Sequence, residues 1–351
     1  MQILSSLFLL IGSYCSSADP GVKVYDFNPA EASATLRCQA SGIENPSFLC
    51  LTPDARHVYC VSEYADERSM LHHLVFQPEA SRLELLGARL TKGGAPCYVA
   101  LSPDGGSLYT ANYLGGSVMM FRRDANGSLS AGQLTQFDGH GPTPERQSQP
   151  HLHAINFTRD GKWMLANDLG TDQIHLFPQA ADGSYPRSTQ SFPVASGMGP
   201  RHLCFDARGQ YAYLLGEISG EIAVLSYQPG DSQPLKEVQR VKADRYDGQG
   251  SADIHLSPDG RFLYASHRLR GDGVSIFSVG ADGRLSPVGY QPTGSHPRNF
   301  ALTPDGRYLL VACRDADAVE IYERDAATGL LADTGKRIAT PRPVCLVFCE
   351  Q

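Results

Sequence analysis

The sequence predicts an all-β fold, and three observations lead to this prediction. Glycine and proline, 35 and 23 residues in a chain of 351, are spread evenly along the chain. Such regular turn residues are typical of many short strands. One pattern of strands and turns recurs along the chain. Finally, the two ends of the chain carry strand-like segments that lack the partners this pattern requires.

The recurring pattern is a short apolar strand, a turn similar to Pro-Asp-Gly, a second apolar strand, a polar loop and a third strand ending in an aromatic residue. Two examples are "APCYVALSPDGGSLYTANYLGGSVMMF" and "HPRNFALTPDGRYLLVACRDADAVEIY". The turns of the six complete units lie at Asp54, Asp104, Asp160, Arg208, Asp259 and Asp305. An interval of roughly fifty residues holding four strands is typical of a propeller blade.

The two chain ends supply a seventh unit. The C-terminal "TPRPVCLVF" has the pattern of a first strand with nothing after it, and the N-terminal "FLLIGSY" and "GVKVYDF" have the pattern of later strands with no first strand before them. Joining them leaves no open sheet edge in the ring. We therefore expect one domain, residues 1–351, folded as a seven-bladed β-propeller with one blade closed by N- and C-terminal strands.

Composition excludes some classes of function. The formal net charge of −7 argues against nonspecific nucleic-acid binding, which requires a basic excess. None of the nine cysteines belongs to a CxxC motif, which argues against a zinc–thiolate site. Their odd number and scatter indicate free thiols in a reducing compartment.

The first eighteen residues, "MQILSSLFLLIGSYCSSA", have an apolar centre similar to that of a signal peptide. No Lys or Arg precedes the apolar run, and the run is too short to span a bilayer. Because the predicted seventh blade needs this segment, we expect a cytoplasmic protein with no membrane partner. Secretion through an N-terminal signal is the alternative.

The repeat also predicts which side chains surround one mouth of the central channel. In each blade the first strand lines the channel and the Asp turn lies on the opposite face. The position seven residues before the turn residue is therefore at the mouth; it is Ser47, Cys97, His153, Arg201, Ala252 and Arg298, with Arg342 aligned from the last strand. The end of the second strand supplies Glu63, Tyr113, Glu217, Arg268 and Arg314, with Asp168 after a one-residue shift and Tyr14 from the N-terminal strands.

Cross-strand pairing then predicts His153 opposite Asp168, Arg201 opposite Glu217, and Arg298 opposite Arg314. Two facing arginines repel unless an anion lies between them. A cationic mouth on an acidic protein thus indicates a small anionic ligand held by guanidinium groups. The alternative is that some of these arginines join neighbouring blades through salt bridges.

Two histidines in "PERQSQPHLHAINF" stand two positions apart, His151 and His153. On a strand such residues point to the same side and could hold a metal, hold a substrate or move a proton. Neighbouring arginines would repel a divalent cation, so we expect no metal and no other cofactor. We interpret His153 as the imidazole in the channel and His151 as a substrate-contacting residue in the loop above it.

These residues resemble the lactonase family of seven-bladed propellers, which includes propeller-type 6-phosphogluconolactonases and fungal carboxymuconate cyclases. The matching stretches are "GPTPERQSQPHLHAINF", "GPRHLCFDARGQYAYLLGE", "SADIHLSPDGRFLYASHR" and "HPRNFALTPDGRYLLVA". The resemblance implies a catalytic set of His153, Arg201, Glu217 and Arg268. We expect Asp168, Arg298, Arg314 and His151 to contact substrate. His267, where the family pattern has a small polar residue, departs from it.

The resemblance implies hydrolysis of a sugar-acid lactone, most simply 6-phosphogluconolactone in the pentose phosphate pathway, without a metal. Lactonising chemistry on a carboxylated, muconate-like substrate is one alternative. A non-catalytic propeller that binds a ligand or protein at the same mouth is another. Arginine binds phosphate and carboxylate alike, so the sequence leaves the substrate's anionic group open, together with the choice of His153 or Glu217 as the base and the oligomeric state.

Overall fold

The protein, seen in a computed structural model that describes residues 7–350, is built from 28 strands in seven four-stranded antiparallel sheets. The first sheet contains β1 (Leu7–Ser13), β2 (Val22–Asn28) and β3 (Ser33–Ala40), with the C-terminal β28 (Pro343–Glu350) beside β1. The second sheet contains β4 (Leu49–Leu51), β5 (His57–Ser62), β6 (Met70–Gln77) and β7 (Arg82–Leu90). The third contains β8 (Pro96–Leu101), β9 (Ser107–Asn112), β10 (Ser117–Arg123) and β11 (Leu129–Gln136).

The remaining four sheets repeat this order. The fourth contains β12 (Leu152–Phe157), β13 (Trp163–Asp168), β14 (Gln173–Pro178) and β15 (Gln190–Pro193). The fifth contains β16 (Pro200–Phe205), β17 (Tyr211–Gly216), β18 (Glu221–Tyr227) and β19 (Leu235–Lys242). The sixth contains β20 (Ser251–Leu256), β21 (Phe262–His267), β22 (Gly273–Val279) and β23 (Leu285–Pro292), and the seventh β24 (Pro297–Leu302), β25 (Tyr308–Cys313), β26 (Ala318–Arg324) and β27 (Leu331–Ala339).

The sheets form a closed ring. Each inner strand (β28, β4, β8, β12, β16, β20 and β24) contacts the inner strands of the two neighbouring sheets. Helical structure within residues 7–350 is restricted to α1 (Pro144–Gln147) and two 3-10 turns at Pro78–Ala80 and Arg314–Ala316. No helix in this part of the chain is long and apolar enough to cross a membrane. The predicted seven-bladed β-propeller is confirmed.

The blade shared by the two chain ends explains the apolar run at the N-terminus. Strand β1 lies between β28 and β2 and is buried along its whole length. Leu9 and Ile11 pack towards the seventh sheet, whereas Phe8 and Leu10 pack towards the second sheet. A strand buried on both faces needs apolar residues at successive positions rather than alternate ones. The segment that resembles the apolar part of a signal peptide is therefore an interior strand of the ring.

The hydrophobic core is divided among the seven interfaces between neighbouring sheets. Leu165 of the fourth sheet packs with Leu214 of the fifth, and Tyr213 of the fifth packs with Leu263 of the sixth. Successive residues of one strand thus face opposite neighbours, as the two-residue period of a strand requires. This packing fixes which residues at the strand ends face the channel.

The Asp turns close the hairpins between first and second strands. At Asp104 the carboxylate accepts hydrogen bonds from the Ser102 hydroxyl at 2.6 Å and the Gly106 amide at 3.0 Å. The next residue, Gly105, has φ of 72°, a left-handed conformation that glycine adopts without strain. These turns hold one face of the ring, and the strand ends on the other face carry the site.

Candidate functional site

A β-bulge near the start of six inner strands turns a side chain towards the channel. In β12 the pairing with β13 passes from Leu152 to Ala154 and omits His153. The corresponding bulges contain Cys97, Arg201, Ala252 and Arg298. A bulge leaves its extra residue unpaired and redirects its side chain. The position that the repeat selected thus coincides with a specific backbone irregularity.

In the blade shared by the chain ends, the inner-strand residue at the mouth is Val344. The sequence alignment that placed Arg342 at this position was wrong. Ser13 pairs with Pro343 and Gly12 with Cys345, so Val344 is the residue in the bulge. Val344 lines a narrow cavity in the channel together with Arg201 and Arg298. The sequence has prolines at 341 and 343, and it is Pro343 that takes the place of Pro297 in the preceding blade.

Glu217 is the centre of the polar cluster at this mouth. Its Oε2 atom accepts a hydrogen bond from Nε of Arg201 at 2.7 Å and lies 3.3 Å from an Nη atom of Arg268. Its Oε1 atom accepts a hydrogen bond from Arg146 at 2.5 Å. Arg201, Glu217 and Arg268, three of the four predicted catalytic residues, are therefore in direct contact.

The three arginines control the charge of the carboxylate. Burial by itself would raise the pKa of Glu217, but Arg268, Arg201 and Arg146 lower that pKa to about 2. Burial lowers the pKa of Arg268 to about 9, although Glu217 acts in the opposite direction. At neutral pH the cluster therefore contains a carboxylate and three guanidinium cations. An acceptor with two occupied oxygens is better suited to holding the arginines than to accepting a proton.

Arg146 is a member of the site that the sequence analysis missed. It lies in α1, a single turn between the third and fourth sheets, and its side chain is 30% exposed, against 2% for Arg201. It therefore faces both Glu217 and solvent. The sequence signal for Arg146 was its place in "PERQSQPHLHAINF", the stretch that also contains His151 and His153. The blade repeat could not select it, because this loop lies outside the repeating strands. Only the folded chain brings Arg146 to Glu217.

His153 lies in the channel beside this cluster without contacting a carboxylate. Its Nδ1 atom is 3.7 Å from Sγ of Cys97, and its ring packs edge-on against His202 with centroids 5.3 Å apart. Burial, with help from Arg201, lowers the pKa of His153 well below its ordinary value. His153 is therefore neutral at pH 7. The reference pKa near 6.5, on which the sequence argument rested, does not apply to this site.

His151 is held above the channel by Tyr113. The two rings stack with centroids 4.3 Å apart, and Nδ1 of His151 lies 2.8 Å from the carbonyl oxygen of Tyr113. Tyr113 also contacts the ring of His153 edge-on, with centroids 5.6 Å apart. The predicted loop position of His151 agrees with this arrangement. A direct substrate contact by His151 stays a prediction.

Asp168 does not pair with His153, which corrects the predicted cross-strand pairing, and a direct contact between Asp168 and substrate stays a prediction. It pairs with Leu152, and its carboxylate accepts hydrogen bonds from the His151 amide at 2.7 Å and the Thr171 hydroxyl at 2.7 Å. The one-residue shift that selected Asp168 moves the side chain to the other face of the strand. Asp168 therefore stabilises the loop after β13.

Arg298 and Arg314 do not face each other, contrary to the pairing prediction. Arg298 lies 3.7 Å from Glu63 and over the ring of Tyr14, whose hydroxyl donates to Glu63 at 2.9 Å. Arg314 belongs to the 3-10 turn after β25 and donates to both carboxylate oxygens of Asp315, at 2.7 and 2.8 Å. Arg298 thus belongs to the channel, whereas the charge of Arg314 is neutralised locally, and a direct contact between Arg314 and substrate loses its basis.

The opposite end of the channel contains a cavity of about 640 Å³. Its walls combine aromatic residues such as Phe157 with Asp253 and His255, whose carboxylate and ring nitrogen are 2.9 Å apart.

Within residues 7–350 no group of three or more His, Cys, Asp or Glu side chains is arranged to hold a metal. The nine cysteines are free thiols, and burial raises the pKa of Cys50 to about 11.

Comparison with known proteins agrees with this geometry. The family described as "Lactonase, 7-bladed beta-propeller" matches residues 8–348. A 6-phosphogluconolactonase from Formosa agariphila is 33% identical over 332 residues, which cover 92% of this chain and 94% of that protein. A 6-phosphogluconolactonase from Bacillus subtilis is 29% identical and covers 97% of this chain and 98% of its own length.

Solved structures give the same result. A crystal structure from Bacteroides fragilis, provisionally assigned as a 6-phosphogluconolactonase, is 44% identical with a TM-score of 0.94, covering 100% of this chain and 99% of its own. A periplasmic gluconolactonase from Pseudomonas aeruginosa is 32% identical with a TM-score of 0.90, covering 98% and 99%. With its closed ring and its arginine–glutamate cluster, the chain belongs to the lactonase family of seven-bladed β-propellers.

Proposed function

We propose that this protein is a lactonase that hydrolyses 6-phosphogluconolactone to 6-phosphogluconate. The proposal rests on the shared family, on relatives of that name along nearly the full chain, and on the chemistry of the arginine mouth. The product is the carboxylate that the pentose phosphate pathway consumes. Lactonising chemistry on a muconate-like carboxylate and a purely binding role remain as alternatives for the experiment below.

The charge of the mouth is the observation that carries the proposal. Four arginines (Arg146, Arg201, Arg268 and Arg298) face two glutamates (Glu63 and Glu217), which leaves two positive charges. A phosphate monoester carries nearly two negative charges at neutral pH, and arginine binds it through paired hydrogen bonds. A neutral gluconolactone would leave this excess uncompensated. The phosphorylated lactone is therefore the better match in charge.

The lactone carbonyl needs a positive group where its oxygen becomes negative. Nε of Arg201 donates to Glu217, and Nη1 donates to the carbonyl oxygen of Ala252. Its Nη2 atom makes no hydrogen bond within residues 7–350. We assign this group and Arg268 to the developing oxyanion. Arg146 and Arg298, which lie nearer the rim and are 30% and 15% exposed, are assigned to the phosphate.

His153 is assigned as the base because both oxygens of Glu217 are already occupied. In this mechanism the oxygen of a water molecule bonds to the carbonyl carbon while its proton moves to the imidazole. The bond between that carbon and the ring oxygen then breaks, and the imidazolium returns the proton to the leaving alkoxide. The acid product loses its proton to solvent. Because its pKa is low, His153 gives up the proton readily in the second step.

The compartment remains part of the proposal. We propose a cytoplasmic enzyme, because residues 7–13 form an interior strand and the cysteines are free thiols. The similarity to a periplasmic gluconolactonase makes export the competing possibility. N-terminal sequencing of the native protein separates the two, since a chain that begins after residue 13 would contradict the proposal.

The decisive experiment measures hydrolysis of 6-phosphogluconolactone and of gluconolactone, each with and without EDTA. We expect kcat/KM to be at least roughly tenfold higher for the phosphorylated lactone, because one charge-assisted hydrogen bond is worth about 1.5–3 kcal/mol. EDTA should have no effect. Equal rates on the two lactones would contradict the phosphate assignment, and absence of turnover on both would refute the lactonase proposal.

A further inference from the structure

Each of the two innermost arginines is in contact with a buried histidine. Nη1 of Arg201 lies 3.2 Å from Nε2 of His202, and Nη1 of Arg268 lies 3.3 Å from Nε2 of His296. His202 is 7% exposed, and so is His296. The two contacts use the same atoms, although the histidines occupy different positions in their blades. His202 follows Arg201 directly, whereas His296 lies in the loop before β24.

The other ring nitrogen of each histidine faces an aspartate. Nδ1 of His202 lies 2.7 Å from Oδ1 of Asp253, and Nδ1 of His296 lies 3.4 Å from Oδ2 of Asp315. The site therefore contains two chains of the same composition, Arg–His–Asp. The first is buried throughout. The second ends at Asp315, whose side chain is 44% exposed and is shared with Arg314.

The chemistry of these groups determines the proton positions. A guanidinium can only donate, so Nε2 of each histidine must accept. An aspartate accepts, so Nδ1 must carry the proton, as in other sites where a carboxylate fixes the tautomer of an imidazole. Both rings are therefore neutral. The buried environment agrees, because burial lowers the pKa of His202 to about 4 and that of His296 to about 3.

Unusual backbone geometry places both histidines. The pairing of β16 with β17 passes from Pro200 to Leu203, so this bulge contains His202 as well as Arg201. The next inner strand has a bulge of the same size, and it contains Asp253. His296 has φ of 60°, a left-handed conformation that is strained for a residue with a side chain. Ala95 and Arg342, which also precede the proline of an inner strand, have φ of 50° and 42°, so this conformation is shared by the loops that lead into these strands.

We propose that His202 and His296 are positioning residues that hold Arg201 and Arg268 in the orientation needed to stabilise the oxyanion. Each imidazole accepts from one Nη1 atom of its arginine, and Asp253 holds the ring of His202 by a hydrogen bond, whereas Asp315 lies 3.4 Å from the ring of His296. The kinetic part of this inference rests on the proposed lactonase function. His202 has the larger role, because its aspartate is buried and 2.7 Å away.

Two substitutions of His202 separate the contact with Arg201 from the contact with Asp253. In His202→Gln the amide oxygen lies near the Nε2 position and can accept from Arg201, but no donor remains for Asp253. In His202→Asn the amide nitrogen lies near the Nδ1 position and can donate to Asp253, but nothing reaches Arg201. The pair therefore tests which contact matters.

We expect His202→Asn to lower kcat roughly a hundredfold, the effect of a misplaced catalytic group, with KM changed less than threefold. His202→Gln should retain kcat within about tenfold of wild type. The matched control is His72→Asn, which removes a buried imidazole in β6 that has no arginine contact and should leave kcat unchanged. Equal losses in the Gln and Asn variants, or no loss in the Asn variant, would overturn the proposal.

A second measurement uses the wild-type protein and requires neither lactonase activity nor a correctly folded variant. ¹⁵N NMR of the histidine rings in the wild-type protein at pH 7 reports the tautomer of each neutral imidazole. We expect the Nδ1–H form for His202 and His296, and an Nε2–H or doubly protonated ring at either position would overturn the inference there. If the wild-type protein hydrolysed no lactone, the proposed function would fail while this measurement would still decide how the arginines are held.

Discussion

The Oε1 atom of Glu217 lies 2.5 Å from a terminal nitrogen of Arg146, although the two residues are 71 positions apart in the chain. This contact joins a loop between two blades to a carboxylate at the end of β17. It completes a set of three arginines around one glutamate, and it is the most exposed of the three ion pairs. Arg146 is therefore placed to meet an incoming anion first.

Removing Arg146 should weaken substrate binding more than it slows the chemical step. In Arg146→Ala we expect KM for the phosphorylated lactone to rise roughly tenfold or more, because a charge-assisted hydrogen bond is lost, with kcat reduced less than threefold. Steady-state kinetics measures both values. The control is Arg89→Ala, an exposed arginine on β7 that donates to the neighbouring carbonyl of Ala88. A large loss of kcat at constant KM would contradict the assignment.

Glu217→Gln should remove most of the turnover without unfolding the protein. The glutamine keeps the shape but not the charge, so the guanidinium groups of Arg201 and Arg268 lose their common counter-ion. We expect kcat to fall on the order of a hundredfold, as for loss of an oriented oxyanion donor. Glu221→Gln, four residues later in β18, is the matched control and should behave as wild type. If both variants were equally active, Glu217 would have no role in organising the site.

His153 and His151 should differ in their effects on turnover. We expect His153→Ala to lower kcat by about a hundredfold or more, the usual contribution of a general base, and His151→Ala to have a much smaller effect. Because the pKa of His153 is lowered, kcat/KM of the wild-type protein should show no ionisation of this residue near pH 6.5. The reverse order of the two variants would show that the base has been misassigned.

The protein should become less stable as the pH falls from about 6.5 to about 4. Burial is the main cause of a lowered pKa at seven histidines. In five of them the pKa falls to about 4 (His72, His73, His202 and His267) or about 3 (His296). In this range the unfolded chain binds protons at these residues and the folded protein does not. Acid therefore favours unfolding. His255, whose pKa is raised by Asp253 against the effect of burial, acts in the opposite direction.

Thermal melting at constant ionic strength and at pH 7, 5.5 and 4.5 measures this effect. We expect Tm to fall at each step, and the fall should be smaller in His72→Leu, which removes one of the five groups. A constant or rising Tm between pH 7 and pH 4.5 would show that these imidazoles are protonated in the folded protein.

The N-terminal strand should be necessary for a stable ring. Leu9 is 0% exposed and packs between the first and seventh sheets. Leu9→Ala should lower the free energy of unfolding by about 2–5 kcal/mol, the range for a leucine truncated in a core. Leu36→Ala in β3 of the same sheet is the control, because Leu36 is 46% exposed. Chemical denaturation measures both, and equal small effects would mean that β1 contributes little to stability.

The sequence by itself determined the architecture and most of the residues at the mouth. The blade pattern repeats six times, and successive side chains of each strand face opposite neighbouring sheets. His153, Arg201 and Arg298 have the same position relative to the turn of their blade, and this position places all three at the same end of the channel. The incomplete units at the two ends predicted the shared blade. Such inferences succeed because a two-residue strand period and a fixed hairpin length are local properties.

Where the local pattern was ambiguous by one or two residues, only the tertiary structure decided. A one-residue shift assigned Asp168 to the channel, and two neighbouring prolines led to Arg342 instead of Val344. Arg146 lies outside the repeat, and the contacts of His202 with Asp253 depend on bulges in two different strands. These features depend on how separate blades meet, and a bulge changes the direction of a side chain without leaving a pattern in the sequence. The repeat thus determines the ring, whereas the packing of its strand ends determines which charged atoms come into contact.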